Sequence, residues 1–171
     1  ITNFFLKKTQ FWENEKWKKK HHRVQSQTYH HDLKPNIEAY EIWGGKLKRK
    51  IITNSLGFRD SAKKKINKQI DKTRILLIGD SFIEGSGYDY EYTFSGLLAN
   101  KLGNSYEVLN SAVESYSPSI YFKKTEFYLS QGYNFDKALI FLDLSDIYDE
   151  LFINFDKEEN IISEVPKTKL T

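Results

Sequence analysis

In the stretch Arg74-Ile75-Leu76-Leu77-Ile78-Gly79-Asp80-Ser81, a carboxylate and a serine follow directly on a run of branched aliphatics. Four such aliphatics in succession suit a strand buried on both faces, as in a parallel sheet covered by helices. The break at Gly79 puts Asp80 and Ser81 just past the strand's carboxyl end, where open α/β sheets bind their ligands. A serine there, beside the unpaired N–H groups of a loop or helix start, is suited to attack a carbonyl with part of an oxyanion site in place. The same residues also suit a plain turn that caps a helix, and the local sequence leaves both readings open. Two phosphate-binding readings fail. Five residues separate Gly79 from Gly85 with no lysine after, and Tyr90 stands where a dinucleotide fingerprint needs its third glycine.

The elements that must position this serine follow in order. Thr93 is a candidate N-cap, Phe94, Leu97, Leu98 and Leu102 share one helical stripe, and Gly103 falls where a helix stops. Glu107 to Asn110 reads as a second strand. Ser117 and Pro118 start a helix running to about Gln131, which Gly132 ends. Ala138 to Leu142 reads as a third buried strand, leading into Asp143-Leu144-Ser145-Asp146. This β-α-β-α-β order predicts an α/β fold with a doubly wound parallel sheet. Strands near 74–78, 106–110 and 138–143 should be adjacent, with Ser81, Ser115 and Ser145 converging at their carboxyl ends. Upstream, residues 33–60 look irregular or strand-rich, with breaks at Pro35 and Asn36, a turn at Gly44-Gly45 and a short strand at Lys50 to Thr53. From Phe155 onward the pattern is polar and weak.

Three strand ends therefore offer Gly79-Asp80-Ser81, the stretch Asn110 to Ser115, and Ser145-Asp146. This arrangement resembles the SGNH (GDSL-like) hydrolases, which carry Gly-Asp-Ser after a first strand, a glycine a few residues past a second, and Asn-Asp after a third. Asn54-Ser55-Leu56-Gly57-Phe58-Arg59-Asp60 is similar to a segment found upstream of the serine block in many bacterial members, so the likeness spans roughly residues 54–150. It implies Ser81 as nucleophile and the N–H groups of Ser81 and Ser115 with the Ser145 hydroxyl as oxyanion donors. Asp80, Asn110 and Asp146 would support the site. Two positions depart from the pattern: Ser115 replaces the oxyanion glycine, which is tolerable where φ is not positive, and Ser145 replaces the oxyanion asparagine.

The resemblance also implies an Asp-x-x-His block whose histidine is the base, yet no histidine follows His31. With Ile1 first and no methionine, the expectation is a piece of a longer product that stops before that block. The activity implied is that of a serine esterase or acyltransferase acting on O-acyl groups, O-acetyl above all, of a carbohydrate in a bacterial envelope, without a cofactor. The alternative is a degenerate member that binds a glycan or protein partner without turnover. Metal ligation is not expected: His21-His22 and His30-His31 lack a partner at ligand spacing, and Asp143, Asp146, Asp149 and Glu150 suit a helix start.

Charge divides the chain. Residues 1–72 hold 18 Lys/Arg against 7 Asp/Glu, and residues 73–171 hold 8 against 16, which predicts a basic N-terminal extension, 1–72, ahead of a hydrolase-like part, 73–171. Cysteine is absent, which removes disulfide and thiolate chemistry. Within residues 1–28, Phe4, Phe5, Phe11, Trp12 and Trp17 lie among six lysines, a mixture suited to a membrane surface and hence to an extracytoplasmic, membrane-associated site. A solvated helix and a nucleic-acid stacking platform are the rival readings, and nucleic acid is not the expected partner. The membrane reading predicts binding to anionic vesicles that weakens as salt rises, measured by co-sedimentation; no binding at low ionic strength returns the segment to an ordinary solvated surface.

Overall fold

The computed structural model describes residues 22–43, 47–151 and 153–164. Most of the basic–aromatic stretch 1–28, with His21 and the Gly44-Gly45 turn, lies outside the described residues.

The centre is a three-stranded parallel sheet of β5 (Thr73–Ile78), β6 (Tyr106–Asn110) and β7 (Lys137–Ile140), in the order β6-β5-β7. Side chains alternate across β5, and each face has its own core. Leu76 and Ile78 join Leu109, Ile120 and Tyr128 on one face, while Ile75 and Leu77 join Ile83, Val108 and Ala112 on the other. The first face is covered by α3 (Pro118–Ser130), the second by α2 (Phe94–Leu102), with the short α1 (Ser81–Glu84) following β5 and α4 (Leu144–Glu150) following β7. The Glu150 carboxylate accepts from the Ser119 amide, which sets α4 on the α3 side. The loops after neighbouring strands β5 and β7 thus leave toward helices on opposite faces, the arrangement in which open α/β sheets bind ligands.

Local chemistry accounts for the helix limits. The Thr93 hydroxyl accepts from the Gly96 amide and Gly103, at φ 69°, ends α2. Ser117 precedes α3 as expected, but its hydroxyl makes no cap; Pro118 at the first turn already removes one of the donors a cap would serve.

Two stretches differ from the sequence reading. The third strand is not buried: β7 has a single neighbour, no described element covers it, and Ile140 and Leu142 are 61% and 65% exposed. The polar stretch after residue 152 forms an antiparallel hairpin, β8 (Ile153–Phe155) and β9 (Ile161–Glu164), because Asp156 gathers the Glu158 and Asn160 amides into a turn and Ile161 drops into the core beside Tyr29. Upstream, two antiparallel hairpins pair β1 (Arg23–Gln25) with β2 (His31–Leu33) and β3 (Glu38–Trp43) with β4 (Leu47–Ile52). Leu33 and Tyr29 enter the same core as β5, so this part of the chain packs directly on the sheet layer.

Gly57 shows how tightly that packing is drawn. Its φ is 79°, and a Cβ there would overlap the Leu33 carbonyl oxygen. Gly132, at φ 83°, has only the distal Lys68 side chain nearby. In chemical denaturation Gly132→Ala should cost about 1 kcal/mol, the left-handed penalty alone, and Gly57→Ala clearly more, since backbone must also move. Equal losses would mean that the Leu33 contact yields freely.

Candidate functional site

Gly79 ends β5 where only a glycine fits, since a Cβ there would meet the Ile83 side chain at 2.8 Å. Asp80 then caps α1, its Oδ1 accepting from the Phe82 amide at 2.9 Å, and the Ser81 hydroxyl donates to Asp80 Oδ2 at 3.3 Å. A helix of four residues is too short to persist by its own hydrogen bonds, so its neighbours must hold it. Arg59 does so at the far end: its guanidinium donates to the carbonyls of Glu84 (2.8 Å) and Gly85 (2.6 Å), and to that of Tyr88. The segment around Arg59 is built for that reach. Asn54 Oδ1 gathers the Leu56 and Phe58 amides, Asn54 Nδ2 donates to Asp60 at 2.9 Å, and Phe58 is buried against Tyr128.

The loop after β6 is fastened to the same helix. Asn110 Nδ2 donates to the Ile83 carbonyl at 2.7 Å and to the Ser95 hydroxyl at 3.1 Å, while its Oδ1 accepts from the Ala112 amide. Beyond it, the Glu114 amide donates to the Glu84 carboxylate, and Arg23 bridges Glu84 (3.1 Å) and Glu114 (2.8 Å). Ser115 has φ 66°. The left-handed region is glycine's, so a serine there carries strain of about 1–2 kcal/mol. The condition under which the missing glycine would be harmless, a φ that is not positive, is therefore not met: the turn keeps a glycine conformation without the glycine.

After β7, Asp143 caps α4, accepting from the Ser145 and Asp146 amides, and Asp146 returns the bond to the Asp143 amide at 3.0 Å. The Ser145 hydroxyl is exposed and donates to Asp143 Oδ1 at 2.5 Å. Carboxylate oxygens of Asp80, Asp143 and Asp146 lie within 4.8 Å of one another, the one such acidic group among the described residues that could hold a cation. Burial pushes the Asp80 and Asp146 carboxyls above the usual carboxylate range, and their shared charge adds to it, so a proton can serve in place of a metal. The hydrogen bond from Ser145 holds Asp143 below that range. Burial, and after it the Asp146 charge, push the Tyr121 phenol far up.

Ser81, Ser115 and Ser145 thus each follow the carboxyl end of a different one of three adjacent strands. The structure ties Ser81 to Asp80 and places Asp146 beside both Asp80 and Asp143; Asn110 is bound to α1. Sequence reasoning passed over Glu84, Glu114 and Arg23, whose only signal was a glutamate three residues after Ser81. Of the described histidine pair, His31 has both ring nitrogens engaged within the protein. His31 is buried, with Nε2 on the Glu114 carbonyl at 2.9 Å and Nδ1 on His30 Nδ1 at 2.7 Å. Burial holds its pKa well below the ordinary value.

Family models, curated proteins and solved structures contain no match to this chain.

The raised Asp146 carboxyl has a consequence for stability. A group whose folded pKa lies above its unfolded one binds more protons when folded, so it destabilises the fold above that pKa, and the penalty fades as pH falls toward the unfolded value near 3.8. Asp146→Asn retains an acceptor for the Asp143 amide and loses the charge. It should raise the urea midpoint at pH 7 and leave it nearly unchanged near pH 3.5. A loss of stability at pH 7 would mean that the ionised carboxylate is itself a favourable partner.

Proposed function

We propose that this chain carries the serine and oxyanion side of an SGNH-type serine esterase or acyltransferase acting on O-acyl groups of a carbohydrate. The observation that carries the reading is Ser115: the position where the resemblance places a glycine has the positive φ a glycine would take. Supporting it, Ser81 starts a helix at the carboxyl end of the central strand, and Arg59 of the Asn54–Asp60 segment clamps that helix. In this reading the sheet is the first part of a doubly wound one.

The reaction begins with Ser81 Oγ attacking the acyl carbonyl carbon while a base accepts its proton. The carbonyl oxygen becomes an oxyanion facing the N–H groups of Ser81 and Ser115. Collapse expels the sugar alcohol, which takes a proton, and leaves an acyl-serine. Water completes hydrolysis, or a second alcohol completes transfer. Neither His30 nor His31 touches Ser81, whose hydroxyl rests on Asp80. A second reading, a non-catalytic glycan or protein binder, is favoured by Ser145, whose hydroxyl is committed to Asp143 rather than free for an oxyanion.

The test is turnover of p-nitrophenyl acetate by the wild-type chain and Ser81→Ala, with and without added imidazole as a surrogate base. Without imidazole the rate should be negligible, the residue of a triad enzyme lacking its base being at most ~10³–10⁴ over water. With imidazole the wild type should exceed Ser81→Ala and burst with acyl-enzyme. Equal rates for the two proteins sink the esterase reading and leave the binder.

A further inference from the structure

Val113 to Tyr116 is a β-turn: the Tyr116 amide donates to the Val113 carbonyl at 3.2 Å. Ser115 is its third residue and the only one of the four with positive φ, which makes the turn type II. Types I and II differ by about half a turn of one unit, the central peptide between the second and third residues. Here that unit joins the Glu114 carbonyl to the Ser115 N–H. In a trans peptide the two point in opposite directions, so whatever holds the carbonyl aims the N–H.

Serine does not choose this orientation. Type II needs a left-handed third residue, and a serine would sit more comfortably in type I, with the carbonyl and N–H exchanged in direction. What opposes that preference is His31. Its Nε2 lies 2.9 Å from the Glu114 carbonyl, and a carbonyl only accepts, so Nε2 carries the hydrogen. The neutral ring then accepts at Nδ1 from His30, 2.7 Å away, which fixes both tautomers. The same residue holds the turn a second time: its backbone carbonyl accepts from the Tyr116 hydroxyl at 2.7 Å, and the two rings pack edge to face at 5.0 Å. The Glu114 amide is taken by Glu84 and the Glu114 carboxylate by Arg23. The Ser115 N–H has no acceptor among the described residues.

We propose that His31 is a positioning residue: its Nε2–H, bonded to the Glu114 carbonyl, locks the 113–116 turn in the type II form and so presents the Ser115 N–H as a donor to an oxyanion. This rests on the esterase reading for the identity of the anion, and on the turn alone for the lock. A glycine in place of Ser115 would need no lock; the serine makes the histidine necessary.

The lock is read by nuclear magnetic resonance on the whole chain. Type II places the Glu114 Hα against the Ser115 amide proton, whereas type I places the Glu114 and Ser115 amide protons together. The wild type should show the first cross-peak strongly, with fast exchange at the Ser115 amide and slow exchange at that of Glu114. His31→Phe should exchange the first cross-peak for the second. His31→Gln, which keeps a donor near Nε2, should restore the first, and so should Ser115→Gly in the His31→Phe background. A strong first cross-peak in His31→Phe, or a weak one in the wild type, overturns the proposal. If His31→Phe does not fold, failure of Ser115→Gly to recover folding in that background overturns it too. The functional half is read separately: imidazole-assisted, Ser81-dependent turnover should fall roughly 10²-fold in kcat in His31→Phe with KM little changed, the loss of one oxyanion donor. Turnover absent from the wild type would count against the esterase reading and leave the cross-peaks to decide the lock.

Discussion

A single buried guanidinium holds three pieces of this protein in register. Arg23, on the first hairpin, reaches Glu84 at the end of the serine helix and Glu114 in the turn after β6, and all three are largely removed from water. Two carboxylates drawn to one guanidinium in a buried place are expensive to desolvate, and further donors share the load. The Glu114 amide supplies one of them. A four-residue helix and a strained turn are each too small to hold a shape, yet here they are cross-linked by charge-assisted bonds that break only together.

Next to this triad lies a second buried pair, Lys124 with Asp32 at 2.7 Å, flanked by the Tyr116 hydroxyl and the Ser111 carbonyl. Burial lowers the Lys124 pKa and raises that of Asp32, the signature of a pair kept for its geometry more than for its stability. The hydrophobic cores on the two faces of β5 supply the cohesion, and the ionic groups fix which loop meets which. On the far side, β7 is an open edge with apolar side chains in water, the least protected surface of the sheet.

How much of this the sequence disclosed follows from the range of each interaction. The parallel strands, the Thr93 cap and the stop at Gly103 are encoded by residues within one turn or one strand of each other, and periodicity displays them. The serine block was visible for the same reason. The burial of β7 was misread because a run of aliphatics reports what a strand could bury and not what covers it. Arg23, His31 and Glu84 were invisible as a set because their contacts span the chain: 61 residues separate Arg23 from Glu84, and 83 separate His31 from the Glu114 carbonyl it holds. His31 gave no sign of its role, since two adjacent histidines without a partner at ligand spacing suggest no chemistry, and the structure bonds one to the other so that both tautomers are fixed. Ser115 looked like a tolerable loss of glycine only at a non-positive φ; its φ is positive, and the His31 bond to the Glu114 carbonyl would hold the turn there against the strain.

The strand order gives the proposed reaction a direction. Ser81 follows the central strand, with the Glu114–Ser115 peptide on the β6 side and Asp80, Asp143 and Asp146 toward the β7 side. Attack on an ester makes two charges at once, a negative one on the carbonyl oxygen and a positive one on the base that takes the serine proton. Three carboxylates repel the first and attract the second. The oxyanion is therefore best placed toward the free Ser115 N–H, and the protonated base toward the acids. In this arrangement Ser145 would lie on the side away from the oxyanion, with its hydroxyl already drawn to Asp143. A serine in that position loses little if the oxyanion forms across the strand from it, and this is how an esterase could forgo the asparagine its resemblance leads one to expect. The acid cluster, costly to a resting protein at neutral pH, would serve in the transition state as the counterion of an imidazolium.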